Sequence, residues 1–176
     1  WRLFNCRAGS GEGVTGLNWL PTSSYSLISG TGRSTMKASA SVIMRNGLDA
    51  QVFSPYYKDG IGTLYFDAVN GYNQAGADVP TLQVQLATRV TSSAEAAGKT
   101  LASDDTLPED LVWEDPIPLT VFTVENGVLS TTSSEETNLA LEAPANGGAS
   151  FCYRVRATLN FRQPVRFRIV RTTIDD

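Results

Sequence analysis

Eight side chains in four alternating segments carry the chemistry this sequence offers: Tyr65, Asp67, Gln83, Gln85, Arg154, Arg156, Arg166 and Arg168. They combine an aromatic ring with planar carboxylate, amide and guanidinium groups. Sugars are recognised by such a set, because a ring stacks on sugar C–H groups while planar groups bond vicinal hydroxyls. A register of the jelly-roll kind places all eight on one sheet face, which would then be a ligand-binding surface. The plainer outcomes are a solvated sheet face whose arginine stems cover apolar surface, or a face packed on a neighbouring domain. Arginine outnumbers lysine eleven to three, which favours planar recognition or interface work over simple solubility.

Catalysis finds little support. The chain has no histidine, so neither a Ser-His-Asp nor a Cys-His mechanism is available. Glycoside hydrolysis needs two carboxylates flanking the scissile bond. Here the carboxylates cluster in one loop region, and only Asp67 stands on the polar face of a clear strand. The expectation is a protein that is not an enzyme. In that loop, Asp104, Asp105, Glu109, Asp110 and Asp115 supply oxygens for a structural calcium ion, with Asp104, Asp105 and Asp110 the first candidates. Their spacing matches no EF-hand loop, and a solvated acidic loop is the alternative. The two cysteines, Cys6 and Cys152, form no metal-binding motif. They bridge if the termini lie on adjacent strands, contributing up to about 5 kcal/mol, or they remain two separate buried thiols.

The elements that must position these groups are strands. Leu64, Phe66 and Ala68 alternate with Thr63, Tyr65 and Asp67; Leu82, Val84 and Leu86 alternate with Gln83 and Gln85. From Phe151 to Phe161, odd-numbered apolar residues oppose Cys152, Arg154, Arg156, Thr158 and Asn160, and Val165 to Thr173 repeats the pattern. This period of two is the mark of half-buried strands. Asn-Gly pairs at Asn46, Asn70, Asn126 and Asn146 suit type I′ hairpin turns, the best being Leu119–Glu125 turning at Asn126-Gly127 into Val128–Thr132. The segment 91–118 breaks the rhythm as a long acidic loop, with a short helical turn near Ser93 to Lys99. Tyr56, Tyr57, Tyr72 and Trp113 are either buried edge aromatics or a loop-tip platform. Strands without intervening helices predict an all-β, two-sheet antiparallel jelly-roll-like sandwich, with 1–176 as a single domain.

Charge is unevenly spread. Glu95 to Glu142 holds eleven carboxylates and only Lys99 as a cation, whereas Ala143 to Ile174 holds six arginines and no carboxylate. The two regions either neutralise each other in the fold or build an anionic-ligand site. A net charge of −4 argues against general nucleic-acid binding. No stretch reaches the roughly 18 apolar residues that a membrane span requires. With charged residues at only 18% and abundant Ser and Thr, the composition suits a secreted or cell-surface β domain, and the lack of Asn-x-Ser/Thr sites leans toward a bacterial source. Starting at Trp1, the chain has the look of a mature product or a fragment of something larger.

The segment Phe53-Ser54-Pro55-Tyr56-Tyr57-Lys58-Asp59-Gly60-Ile61-Gly62-Thr63-Leu64-Tyr65-Phe66 resembles part of MAM-like and adhesin-like jelly-roll domains of secreted bacterial multidomain proteins. The resemblance extends over roughly Ser39 to Thr173. It implies that Ser-Pro closes an edge strand and that Gly-Ile-Gly starts a central one. It further implies a strand at Thr81 to Leu86, a loop tryptophan at Trp113, and a late strand through Phe167-Arg168-Ile169-Val170. Such domains usually finish on a further strand, whereas this chain stops at Asp175-Asp176. A missing strand would leave an edge open to self-association by strand addition. The family implies carbohydrate binding or adhesion at a cell surface, with a glycan or cell-surface partner. The alternative is a structural subunit that self-assembles into an extracellular fibre, layer or shell.

Overall fold

The computed structural model describes residues 50–68, 79–142 and 151–173, together with the strand backbone at 2–4, 6–8, 20–21 and 42–44. In chain order the strands are β1 (Arg2–Phe4), β2 (Cys6–Ala8), β3 (Leu20–Pro21), β4 (Val42–Met44), β5 (Gln51–Phe53), β6 (Ile61–Ala68) and β7 (Pro80–Val90). They continue as β8 (Leu111–Trp113), β9 (Leu119–Glu125), β10 (Val128–Leu129), β11 (Ser134–Glu136), β12 (Leu139–Ala140), β13 (Phe151–Phe161) and β14 (Arg166–Thr173). A seven-stranded sheet runs β12-β7-β14-β5-β1-β3, with β8 on the same side of β7 as β12. A five-stranded sheet runs β10-β9-β13-β6, with β11 beside β9, and β2 pairs with β4 in a two-stranded sheet. All pairings are antiparallel except β1 with β3. The chain is an all-β two-sheet sandwich.

The sheets meet through the apolar halves of the alternating segments. Leu82 and Val84 of β7 and Leu139 of β12 pack on Ala68, Leu119, Val121, Val155 and Ala157 from the opposite sheet. Leu86, Val165 and Phe167 extend this core towards Tyr57, Ile61 and Phe161. Each fully buried side chain of this size contributes about 1.5–3 kcal/mol, so register is strongly fixed: a slip by one residue would turn every apolar group outward.

Two turns are fixed by glycine. Asn126 and Gly127 have φ of 51° and 79°, the type I′ geometry that matches strand twist. The resulting hairpin pairs Val128 with Glu125, as expected, although its second strand ends at Leu129. At Gly60, φ is +88° and a Cβ would stand 1.9 Å from the Phe161 carbonyl oxygen. No other residue fits there. The Asn-Gly pairs at Asn46, Asn70 and Asn146, and Tyr72, lie outside the described residues.

Three expectations from the family resemblance change. The strand closed by Ser54-Pro55, β5, is an interior strand between β14 and β1. Ser54 extends its pairing, since its N–H donates to Phe167 O and the Phe167 N–H donates to Ser54 Oγ. The Gly-Ile-Gly strand, β6, pairs only with β13 among the described residues, so it is an edge strand there and not a central one. Trp113 belongs to a strand, β8, and not to a loop.

Candidate functional site

The structure divides the eight candidate side chains between two sheets. Gln83 and Gln85 on β7 pair with Val170 and Arg168 on β14 in the seven-stranded sheet. Tyr65 and Asp67 on β6 pair with Arg156 and Arg154 on β13 in the five-stranded sheet. One shared face is therefore incorrect: strict alternation put each quartet on the outer side of its own sheet, and the sheets pack through their inner sides.

The outer face of the seven-stranded sheet is covered. Residues 91–110 fold back over it as an organised excursion whose ends are tied by the Thr91 N–H donating to Asp110 O, and β8 then returns to the sheet beside β7. The excursion begins with helix α1 (Ser92–Ala96), which Thr91 caps by accepting from the Ala94 N–H. It ends in a Schellman motif, with the Gly98 N–H donating to Glu95 O and the Lys99 N–H to Ala94 O, and Gly98 at φ +77°. Asp110 closes a 3-10 turn at Pro108–Asp110: its Oδ2 accepts from the Leu107 N–H at 2.8 Å and from Lys99 Nζ at 2.6 Å. These two donors hold the Asp110 carboxyl below its ordinary range, Lys99 more strongly. Leu101, Leu111 and Trp113 then pack on Phe53 and Ala87, forming a second, smaller core.

Arg166 and Arg168 anchor this cover. Arg166 is buried and donates through Nε to Leu101 O (2.6 Å), Nη2 to Ser103 O (3.0 Å) and Nη1 to Ser54 O (3.3 Å). Its guanidinium also lies 5.2 Å from the centre of the Phe53 ring. Arg168 donates twice to Gln85 Oε1, at 2.9 and 2.7 Å, and stands 4.3 Å over Trp113. Gln85 Nε2 donates to Glu114 O, and Gln83 Nε2 donates to Asn138 Oδ1. This quartet holds the cover and the neighbouring strand connections in place. The basic strands therefore meet the acidic segment through backbone carbonyls and a tryptophan ring.

The outer face of the five-stranded sheet is open where the other quartet stands. Tyr65 is 66% exposed, large for a ring on a strand. Arg154 grips Asp67 with two parallel bonds, Nε to Oδ1 at 2.9 Å and Nη2 to Oδ2 at 3.0 Å. That contact raises the Arg154 guanidinium above its ordinary value, so it stays charged. Arg156, directly across from Tyr65, donates to Thr120 Oγ1 at 3.4 Å, and the Thr120 hydroxyl donates to Glu135 Oε1 at 2.9 Å. Thr63 pairs with Thr158 one step along, both exposed. Glu135 also lines an open cleft of about 360 Å³ with Pro118, Glu136, Thr137 and Asn138.

Three side chains here escaped the sequence reasoning. Thr120 and Phe122 of β9 pair with Arg156 and Arg154, but the sequence located the Leu119–Glu125 strand without showing which strand lies beside it. Asn160 was placed on the polar face without a role. It has φ of 45° and sits in a bulge, where the β13–β6 register shifts between Thr158 and Phe161. Bulges of this kind re-aim side chains, and the only signal in the sequence was the asparagine itself, a residue type that tolerates positive φ.

The metal and cysteine candidates separate. Asp104 and Asp105 are exposed while Asp110 is engaged by Lys99 and Leu107. Among the described residues no group of three or more His, Cys, Asp or Glu side chains is placed to hold a metal ion. Cys152 is a free, buried thiol among the described residues, and the bridge to Cys6 lies outside them, because the Cys6 side chain does. Burial, then Asp67, push the Cys152 thiol up, the opposite of what a nucleophilic cysteine needs. Tyr57 stacks on Phe167 with ring centres 6.0 Å apart, and Trp113 meets Phe53 edge-on; both are half-buried packing groups. No helix among the described residues is long and apolar enough to cross a membrane. Comparison with family models, curated proteins and solved structures finds no match to this chain, so its likeness to MAM-like and adhesin-like domains rests on local sequence alone.

Proposed function

We propose that this chain is a non-catalytic recognition module that binds carbohydrate on the outer face of its five-stranded sheet, as part of a surface or secreted bacterial protein. The observation that carries the reading is the exposed Tyr65 ring, set between the bidentate Arg154–Asp67 pair and Arg156 on two paired strands. A ring that is two-thirds exposed forgoes the burial that would otherwise favour it, and the planar groups beside it are held by Asp67 and Thr120. Preorganised polar groups beside an aromatic platform are what sugar binding requires, and no bond need be made or broken. A glycan array probed with the wild-type chain and with Tyr65→Ala tests this. The expected result is a restricted set of bound glycans, lost on substitution while the melting temperature is unchanged. Binding indifferent to Tyr65, or no glycan bound, contradicts it.

A second reading is favoured by the edge strand β6, which has no partner on its other side among the described residues. Strand addition there would join copies into a fibre, layer or shell. Light scattering separates the two. A mass near 18.9 kDa that is independent of concentration supports the recognition module, and an assembly that survives dilution supports the structural subunit.

A further inference from the structure

Resting on that reading, we infer that the glycan is acidic: a uronic-acid polysaccharide whose carboxylate is bonded by Arg156 beside the Tyr65 ring. The two arginines of the face differ in how they are used. Arg154 has its charge matched and two of its donors taken by both oxygens of Asp67. Arg156 is exposed, makes no ion pair among the described residues, and has one long hydrogen bond, to a hydroxyl. Glu135 stops one hydroxyl short, its Oε1 accepting from Thr120. Thr120 therefore orients the guanidinium without neutralising it, and most of its five donors remain available.

A site for neutral sugars uses carboxylate and amide acceptors to take hydroxyl protons. Here the carboxylate, Asp67, is engaged and the available group is a cation, whose planar fork fits a carboxylate with two parallel bonds. Tyr65 stands directly across from Arg156, and such cross-strand neighbours lie about 5 Å apart. One pyranose ring can thus stack on the tyrosine while its C5 carboxylate meets the guanidinium. The chain as a whole carries a net charge of −4, so its overall field repels a polyanion and binding must come from a local site.

The test is affinity electrophoresis of the full chain through gels holding polygalacturonate, alginate or hyaluronan. Each is compared with the same polymer after its carboxyls are reduced to alcohols, and a panel of neutral polysaccharides runs alongside. We expect at least one acidic polymer to retard the protein and its reduced form to fail. Arg156→Gln should weaken that retardation about tenfold or more, Arg156→Lys less, and Arg89→Gln on the opposite sheet not at all. Unchanged melting temperatures show that the variants fold. Equal retardation by an acidic polymer and its reduced form, by neutral glycans alone, or by an acidic polymer regardless of Arg156 overturns the acidic assignment and leaves carbohydrate binding standing. No retardation by any polymer overturns both.

Discussion

The outer faces of the two sheets bear the same kinds of residue at the same alternating positions, yet one is roofed and the other is open. On the seven-stranded sheet, Phe53 and Ala87 interrupt the polar pattern, and Leu101, Leu111 and Trp113 settle on them. Arg166 and Arg168 then bond the roof and the groups around it. On the five-stranded sheet, Arg154 and Arg156 bond across the sheet face, to Asp67 and Thr120, and Tyr65 stays in solvent. Arginine on an outward strand position is thus ambiguous by itself. Apolar neighbours on the same face turn it into a structural clamp, whereas polar neighbours leave its head group at the surface.

The first substitution aimed at that difference is Phe53→Ala. Emptying the small core beneath the roof should cost about 3–5 kcal/mol in urea unfolding; a loss near that of a surface change would mean that residues 91–113 are not part of the cooperative unit. Next is Arg166→Met, which leaves carbonyls of Leu101, Ser103 and Ser54 without their donor and should cost about 2–4 kcal/mol. Arg154→Met on the open face should cost at most about 1 kcal/mol, because its pair is largely exposed. Equal losses for the two arginines would erase the contrast.

The roof should also respond to acid. Asp110 has a depressed pKa, so its contribution is complete above the unfolded carboxylate range and fades as pH falls through the folded value. Melting temperatures from about pH 6 to pH 2 should show wild type and Asp110→Asn converging in acid; a gap that does not change with pH would remove Asp110 from this role. The smallest effect belongs to Glu135→Gln. Removing this nearby negative charge should raise affinity for an acidic polymer about twofold, read in the same gels, and a fall would mean that Glu135 itself contacts the glycan.

Much of the fold was legible because burial imposes a period of two. The segment Phe151–Phe161 is a strand over its whole length, and the Leu82, Val84 and Leu86 stripe faces the core. The Asn126-Gly127 turn followed from positive φ at both residues. Sheet assignment did not follow, because alternation says which side of a strand is polar and nothing about which sheet holds it. The acidic segment misled for a related reason. Its carboxylates announced solvent, while its structure depends on Leu101, Leu111, Trp113 and the Thr91 and Gly98 caps, scattered too sparsely to show a period. Of the eight candidate residues, Tyr65, Asp67, Arg154 and Arg156 stand together on one face because β6 and β13 are direct neighbours.

The most direct test of the open face is an NMR titration of the ¹⁵N-labelled chain with a uronic-acid tetrasaccharide. The account predicts that the largest amide shifts gather at Tyr65, Asp67, Arg154 and Arg156, with Gln85, Trp113 and Arg168 unmoved. Shifts centred on the roofed face, or none that depend on the sugar, would contradict it.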